Sequence, residues 1–134
     1  MNEPKYKTQV VLKMVPNPYQ KFMSQVVTTM TPAQLLLALY DKAITELNKA
    51  IIFIEDKNIA KAHNSIIRVI DIVDALDSSL KENYEITDNL AALYQFFREQ
   101  LTQANIKKDK EILSSLIPFF QELRDTFEQA SKMV

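Results

Sequence analysis

The chain has 134 residues with no glycine, no cysteine and one histidine, and its 16 basic residues nearly balance its 17 acidic residues. The missing glycines exclude glycine-rich phosphate loops and a glycine-flanked nucleophile elbow, and the missing cysteines exclude disulfides and thiolate metal sites. Residues 1–31 carry four lysines against one acid, whereas residues 32–134 carry 12 basic and 16 acidic residues, so the acidic body is not expected to bind nucleic acid.

The N-terminal part of the chain is punctuated by prolines, and residues 1–16 are predicted to be a flexible extension. Residues 17–134 are predicted to form a single helical-bundle domain, because a chain of this length usually folds as one domain. Asn17–Tyr19 is a turn signal, and apolar side chains then recur every three or four residues as far as Val27. This pattern predicts a short helix that is stable only when it packs against other elements.

Four longer helices follow, each marked by apolar residues at helical spacing. The first starts at Thr31–Gln34, because threonine caps the free amides, Pro32 suits the first turn and Gln34 can reach back to the cap. Its apolar stripe continues to Ile54, which predicts a helix of about 24 residues. The second helix is expected from about residue 59 to residue 82, with a stripe in strict heptad spacing.

The third and fourth helices are separated by a short polar link. The third is expected from about residue 85 to Ala104, and Asp109 caps the fourth. Four helices of similar length with short links predict an all-α fold, an antiparallel up-down-up-down four-helix bundle with a short N-terminal capping helix. Pro118 removes a backbone donor inside the fourth helix, which predicts a kink or a short break near Ser114–Pro118.

Few side chains could carry chemistry. His63 has no metal-binding residue three or four positions away and no serine partner indicated by the pattern, so it predicts neither a metal site nor a catalytic triad. Asp71, Asp74 and Asp77 share a helical face. A solvated acidic face is the simpler interpretation, and an enzyme with a carboxylate-bound metal is an alternative. No catalytic residue, metal or cofactor is predicted.

The chain shows no sign of membrane insertion. No apolar run approaches the roughly 20 residues of a membrane span. The N-terminal apolar runs are short and interrupted, so they do not resemble a signal-peptide core. We therefore expect a cytoplasmic protein without stable membrane insertion.

The helices carry more apolar surface than a bundle core needs, since a bundle helix requires a stripe about three positions wide in each heptad. The surplus side chains are Leu37, Ile44, Ile51, Ile52, Phe53, Ile67, Ile70, Ile72, Tyr94, Phe96, Ile112, Ile117 and Phe119. Such surface usually marks an interaction site. Either self-association or a groove that binds an apolar helix of another protein would cover it.

The order of several short motifs resembles the flagellin secretion chaperone family, FliS, over about residues 17–130. The motifs are Asn17–Pro18–Tyr19, Thr29–Met30–Thr31–Pro32, Leu39–Tyr40–Asp41, Asn89–Leu90–Ala91–Ala92–Leu93–Tyr94, Ala104–Asn105 with Asp109, and Leu123–Arg124 with Phe127. Residues 1–16 and Pro118 depart from the family pattern, as does the segment at residues 83–86, where many members carry glycine.

The resemblance implies a non-enzymatic cytoplasmic chaperone built as an antiparallel helical bundle. Such chaperones bind the apolar C-terminal segment of flagellin, which wraps around the bundle. They prevent its premature polymerisation and deliver it to the flagellar type III export apparatus, whose export gate protein is a further expected partner. The resemblance also places Tyr19 in an N-terminal cap that occupies part of the groove until the client binds.

The residues expected to bind the partner combine surplus apolar side chains with the family motifs. They are Tyr19, Val26, Leu37, Tyr40, Ile44, Ile51, Ile67, Ile70, Tyr94, Phe97 and Leu101. Spacing alone does not separate core residues from groove residues. A self-associating helical-bundle interaction module without a flagellin client is the alternative, and the free protein is expected to be a monomer or a homodimer.

Overall fold

A computed structural model describes residues 30–80 and 87–132 of the chain. This part contains four α-helices: α1, Pro32–Glu55; α2, Ile59–Leu80; α3, Thr87–Lys107; and α4, Lys110–Lys132. The all-α class and the four-helix bundle are confirmed, and α3 ends at Lys107 and not at Ala104 as predicted. The N-terminal extension, the short capping helix and the link between α2 and α3 are predictions that lie outside the described residues.

Side chains at the helix starts satisfy backbone amides that would otherwise lack partners. The Thr31 amide donates to Gln34 Oε1 at 3.0 Å, and the Gln34 amide donates to Thr31 Oγ1 at 3.1 Å. This reciprocal pair is the capping box that the sequence predicts. Asn58 Oδ1 accepts a 3.2 Å hydrogen bond from the first turn of α2, and Asp109 Oδ1 accepts a 2.9 Å hydrogen bond from the amide of Glu111.

Two lysines close the ends of α1 and α3 in a backbone conformation that glycine usually adopts. Lys57 has a φ of 61° and Lys108 has a φ of 50°. The left-handed conformation costs an L-residue about 1–2 kcal/mol, and this chain has no glycine to avoid that cost. The Lys108 ammonium offsets part of it, because Nζ donates to the Asn105 carbonyl at 2.7 Å.

The helices follow one another around the bundle in chain order. Ion pairs join α1 to both α2 and α4, an arginine joins α3 to α2, and phenylalanine rings join α3 to α4. The pairs are Glu46–Arg68 for α1 and α2, Asp41–Arg124 and Glu55–Lys110 for α1 and α4, Arg98–Asp74 and Arg98–Asp77 for α2 and α3, and Phe97–Phe120 for α3 and α4. The α1/α4 side therefore lies opposite the α2/α3 side.

One apolar stripe of each helix forms a common core. Its fully or almost fully buried members are Tyr40, Ala43, Leu47 and Ala50 on α1; Ile66, Val69, Ile72, Val73 and Leu76 on α2; Tyr94, Phe97, Leu101 and Ala104 on α3; and Leu113, Leu116 and Phe120 on α4. The Phe97 and Phe120 rings stack with their centroids 4.5 Å apart. Most of these residues lie on the apolar stripes that the helical spacing predicts. Ile72 and Tyr94 are exceptions, because they were predicted as surplus apolar residues and are buried.

Of the kink or short break predicted near Pro118, the break is wrong, because α4 runs continuously from Lys110 to Lys132. The kink stays a prediction. Pro118 is exposed, and so is Ser114, whose carbonyl would accept the hydrogen bond that proline lacks. Water can satisfy that carbonyl on the exposed side of a helix, while buried Leu116 and Phe120 hold the helix to the core.

Candidate functional site

Three of the residues predicted to bind a partner form a strip on the side of α1 that faces α4. We call Leu37, Ile44 and Ile51 the α1/α4 strip. Leu37 and Ile44 lie four residues before and three residues after Asp41, so they share its helical face. Asp41 contacts Arg124 of α4 at 2.8 Å, which sets the direction of this face. All three side chains are half-buried, so each keeps apolar surface exposed to water.

Two further predicted residues lie on the opposite side of the bundle. We call Ile67 and Ile70 the α2/α3 strip. Ile67 lies four residues after His63, whose Nδ1 is 3.0 Å from Nδ2 of Asn105 on α3. Ile70 lies four residues before Asp74, which pairs with α3, so both isoleucines share the face of α2 that turns toward α3. Ile67 is exposed and Ile70 is half-buried.

The remaining predicted residues belong to other places. Tyr40, Tyr94, Phe97 and Leu101 are at most 2% exposed and pack in the core, so they offer no free surface to a partner. Tyr19 and Val26 lie outside the described residues. Because Leu37 and Ile67 lie on opposite sides, the predicted set does not form one face. A single straight helix cannot cover both strips, whereas a segment that wraps around the bundle can.

Tyr40 connects three helices inside the core. Its hydroxyl oxygen lies 2.8 Å from that of Tyr94, so one of the two donates a hydrogen bond to the other. Its ring stacks on Phe127 at 5.7 Å and meets Phe120 edge-on at 6.4 Å. Burial raises the pKa of both hydroxyls, and the hydrogen bond to Tyr94 raises that of Tyr40 further. Both side chains are therefore neutral at physiological pH.

Glu46 is a buried carboxylate where α1 meets α2. The side chain is 1% exposed, and Lys42 Nζ, Arg68 Nη1 and Lys49 Nζ lie 2.9, 3.6 and 3.8 Å from its oxygens. Burial raises the pKa of the Glu46 carboxyl, but the hydrogen bond from Lys42 and contributions from Ser65 and Lys49 outweigh it and lower the pKa below its usual value. The carboxylate is thus held charged beneath a surface layer of cations.

Acidification is expected to destabilise the protein partly through Glu46. The folded-state pKa lies below the unfolded value of about 4.3, so the stabilisation is complete above that value and is lost as pH falls through the folded-state pKa. Urea unfolding over a pH series from neutral to acidic should show a shallower loss of stability in Glu46→Gln than in the wild type. Equal acid-side slopes in the two proteins would contradict this assignment.

The acidic face of α2 is paired with α3. Arg98 Nε lies 2.8 Å from Asp74 Oδ1, and Arg98 Nη2 lies 2.6 Å from Asp77 Oδ2. These two hydrogen bonds raise the pKa of Arg98 above its ordinary value. Two of the three carboxylates thus bind a guanidinium, which opposes the alternative of a metal site there. Within residues 30–80 and 87–132, no group of three or more histidine, aspartate or glutamate side chains could hold a metal ion.

Two structural features were not assigned a role by the sequence pattern. Glu46 lies between core residues Ala43 and Leu47, and lysines occur four residues before it and three residues after it. This pattern of flanking lysines could have indicated a buried carboxylate. Phe96 and Phe119 count among the surplus apolar residues, but only the structure shows that their rings touch.

Comparison with known proteins finds relatives over most of the chain. None of the helices in the described part of the chain is both long and apolar enough to cross a membrane. The family model described as "Flagellar protein FliS" matches residues 15–134. A relative from Bacillus subtilis (strain 168), named flagellar secretion chaperone FliS, is 29% identical over 116 residues, which cover 87% of each chain.

Two further relatives with the same printed name come from other bacteria. The protein of Salmonella typhimurium is 26% identical over 115 residues, covering 84% of this chain and 85% of its own, and that of Escherichia coli (strain K12) is 28% identical over 102 residues, covering 72% and 74%. The family match spans all four helices and both strips. The chain therefore belongs to the FliS family of flagellar proteins.

Proposed function

We propose that the protein is a cytoplasmic, non-enzymatic export chaperone that binds the apolar C-terminal segment of flagellin. It keeps the segment from polymerising prematurely and delivers it to the flagellar type III export apparatus, where the export gate protein is a second partner. Family membership and the printed name of the relatives, flagellar secretion chaperone, support this function. The observation that carries it is the pair of apolar strips on opposite sides of one bundle.

The proposed mechanism is burial of apolar surface without catalysis. Filament-forming helices associate through their apolar faces, so a chaperone that covers such a face removes the route to self-assembly. Leu37, Ile44 and Ile51 would bind one part of the segment, and Ile67 and Ile70 another. The connecting part must pass around the bundle, because the two strips do not face the same way. Tyr19 and Val26 remain predicted contacts of the N-terminal cap.

The test replaces one residue in each strip, half-buried Leu37 and exposed Ile67. Leu37 and Ile67 are chosen because neither packs against the buried core cluster, so the double variant Leu37→Glu/Ile67→Glu should fold. Full burial of a leucine or isoleucine contributes about 1.5–3 kcal/mol, so calorimetry with a synthetic flagellin C-terminal segment should show binding weakened by about tenfold or more.

The matched control is Ile106→Glu. Ile106 is 72% exposed and its neighbour Asn105 is the residue that contacts α2, so the change adds one negative charge outside both strips, against two in the double variant. It should bind like the wild type, and circular dichroism should show all three proteins equally helical. Equal affinity of the double variant, or no binding by the wild type, would refute the proposal. A stable dimer that fails to bind the segment would instead favour the self-associating module.

A further inference from the structure

An aromatic pair lies on the outer surface between α3 and α4, away from both strips. Phe96 and Phe119 are 39% and 43% exposed, and their ring centroids lie 6.0 Å apart in an edge-on contact. Phe119 also meets the buried ring of Phe97 at 6.1 Å, so the pair is anchored to the core. Two large rings held in place with two-fifths of their surface in water form a firm apolar platform for a partner side chain.

Carboxylates bracket this platform. Glu99 follows Phe96 by three residues and Glu122 follows Phe119 by three residues, and both are exposed. Because α3 and α4 run antiparallel, the two carboxylates lie on opposite sides of the ring pair, each about 4.5 Å along its helix axis. Glu99 accepts a hydrogen bond from Gln95 on its own helix, and neither glutamate has an ion pair within the described residues.

Along the described stretches of α3 and α4 that carry the rings, no unpaired cation neutralises this surface. Arg98 is the only basic residue between Asn89 and Ile106, and it binds the carboxylates of α2. There is no lysine or arginine between Ile112 and Leu123 on α4. The platform is therefore apolar in the centre and acidic at both ends, which favours a basic partner over an acidic or uncharged one.

We propose that the Phe96–Phe119 pair, with Glu99 and Glu122, is a second docking surface that binds a basic amphipathic helix of another protein. The spacing of the carboxylates, about 9 Å along the helix axes, fits a partner helix with lysine or arginine at positions i and i+7, which are about 10.5 Å apart. An apolar side chain at i+3 or i+4 would then lie over the rings. None of its four residues belongs to either of the proposed client strips.

A model peptide and a charge swap test the proposal with the full chain. The probe is a stapled helical peptide with two lysines seven residues apart and leucines at the third and fourth positions between them. A matched peptide carries glutamates in place of the lysines. The lysine peptide should shift the NMR signals of Phe96 and Phe119, and Glu99→Lys/Glu122→Lys should weaken its binding about tenfold, because two attractive pairs become repulsive.

Binding of the glutamate peptide tests whether the effect depends on charge complementarity. The charge-swapped variant should bind the glutamate peptide better than the wild type does. Salt should weaken the binding of the lysine peptide to the wild type and of the glutamate peptide to the variant. Asp56→Lys, at the link between α1 and α2, is the control and should change neither affinity. Failure of the lysine peptide to bind the wild type, insensitivity to the charge swap, or shifts confined to Ile44 and Ile51 would each overturn the proposal. So would a self-associated wild type that loses its peptide binding on association.

Discussion

Replacing Phe97 by alanine is expected to lower the free energy of unfolding by about 3–5 kcal/mol, because the change leaves a large cavity in a closely packed core. The ring is fully buried, stacks on Phe120 at 4.5 Å and lies 6.1 Å from Phe119 and 6.3 Å from Tyr94. It therefore joins α3 to α4 at the centre of the bundle. Urea or thermal unfolding followed by circular dichroism measures the loss.

The neighbouring Phe96 provides the matched control. It has the same chemistry, but it is 39% exposed and lies at the surface, so Phe96→Ala should cost only about 1 kcal/mol. Similar losses at both positions would contradict the assignment of Phe97 to the core. The sequence predicts that Phe97 binds a partner. A large loss of stability in Phe97→Ala would show instead that its ring packs in the core.

Tyr40→Phe is expected to destabilise the protein by about 1–3 kcal/mol, because it leaves the buried Tyr94 hydroxyl without the hydrogen bond that offsets its desolvation. Tyr94→Phe should have a similar effect for the same reason. The double variant should cost less than the sum of the two single changes, since it removes both hydroxyls and leaves neither unpaired.

A double-mutant cycle by urea denaturation measures this coupling. Tyr40→Phe keeps the ring that packs on Phe120 and Phe127, so the cycle reports on the hydroxyl pair and not on the loss of aromatic packing. Additive losses would show that the two hydroxyls do not depend on each other, and the hydrogen bond would then have no role in stability.

Local rules in the sequence were enough to predict the fold. The capping pattern at Thr31–Gln34 requires only neighbouring residues, and the structure forms both of its hydrogen bonds. Heptad spacing likewise identified core positions on α2 such as Val69 and Leu76, because the period of an α-helix is the same in every protein. Pro118 is the exception, because a local rule predicted a kink or a short break there and α4 continues through it without a break.

The candidate site was less predictable because it depends on which helix lies beside which. Tyr40 and Ile44 are one turn apart on α1, yet Tyr40 is buried against α3 and α4 while Ile44 is half-exposed. Both residues were predicted to bind a partner, and only the neighbouring helices show that Tyr40 keeps no free surface for one. The division into two strips also depends on helix neighbours. Asp41 of α1 pairs with Arg124 of α4, whereas Asp74 of α2 pairs with Arg98 of α3, so the two strips face different helices. Those pairings arise only when distant segments meet.

The left-handed lysines that close α1 and α3 have a consequence for the denatured ensemble. A chain without glycine samples fewer backbone conformations when unfolded, so it loses less entropy when it folds. Glycine at position 57 or 108 would relieve local strain but would restore that lost freedom to the unfolded state. The two effects on the free energy of unfolding oppose each other. The absence of glycine is therefore compatible with a stable helical protein, even though Lys57 and Lys108 adopt the left-handed conformation.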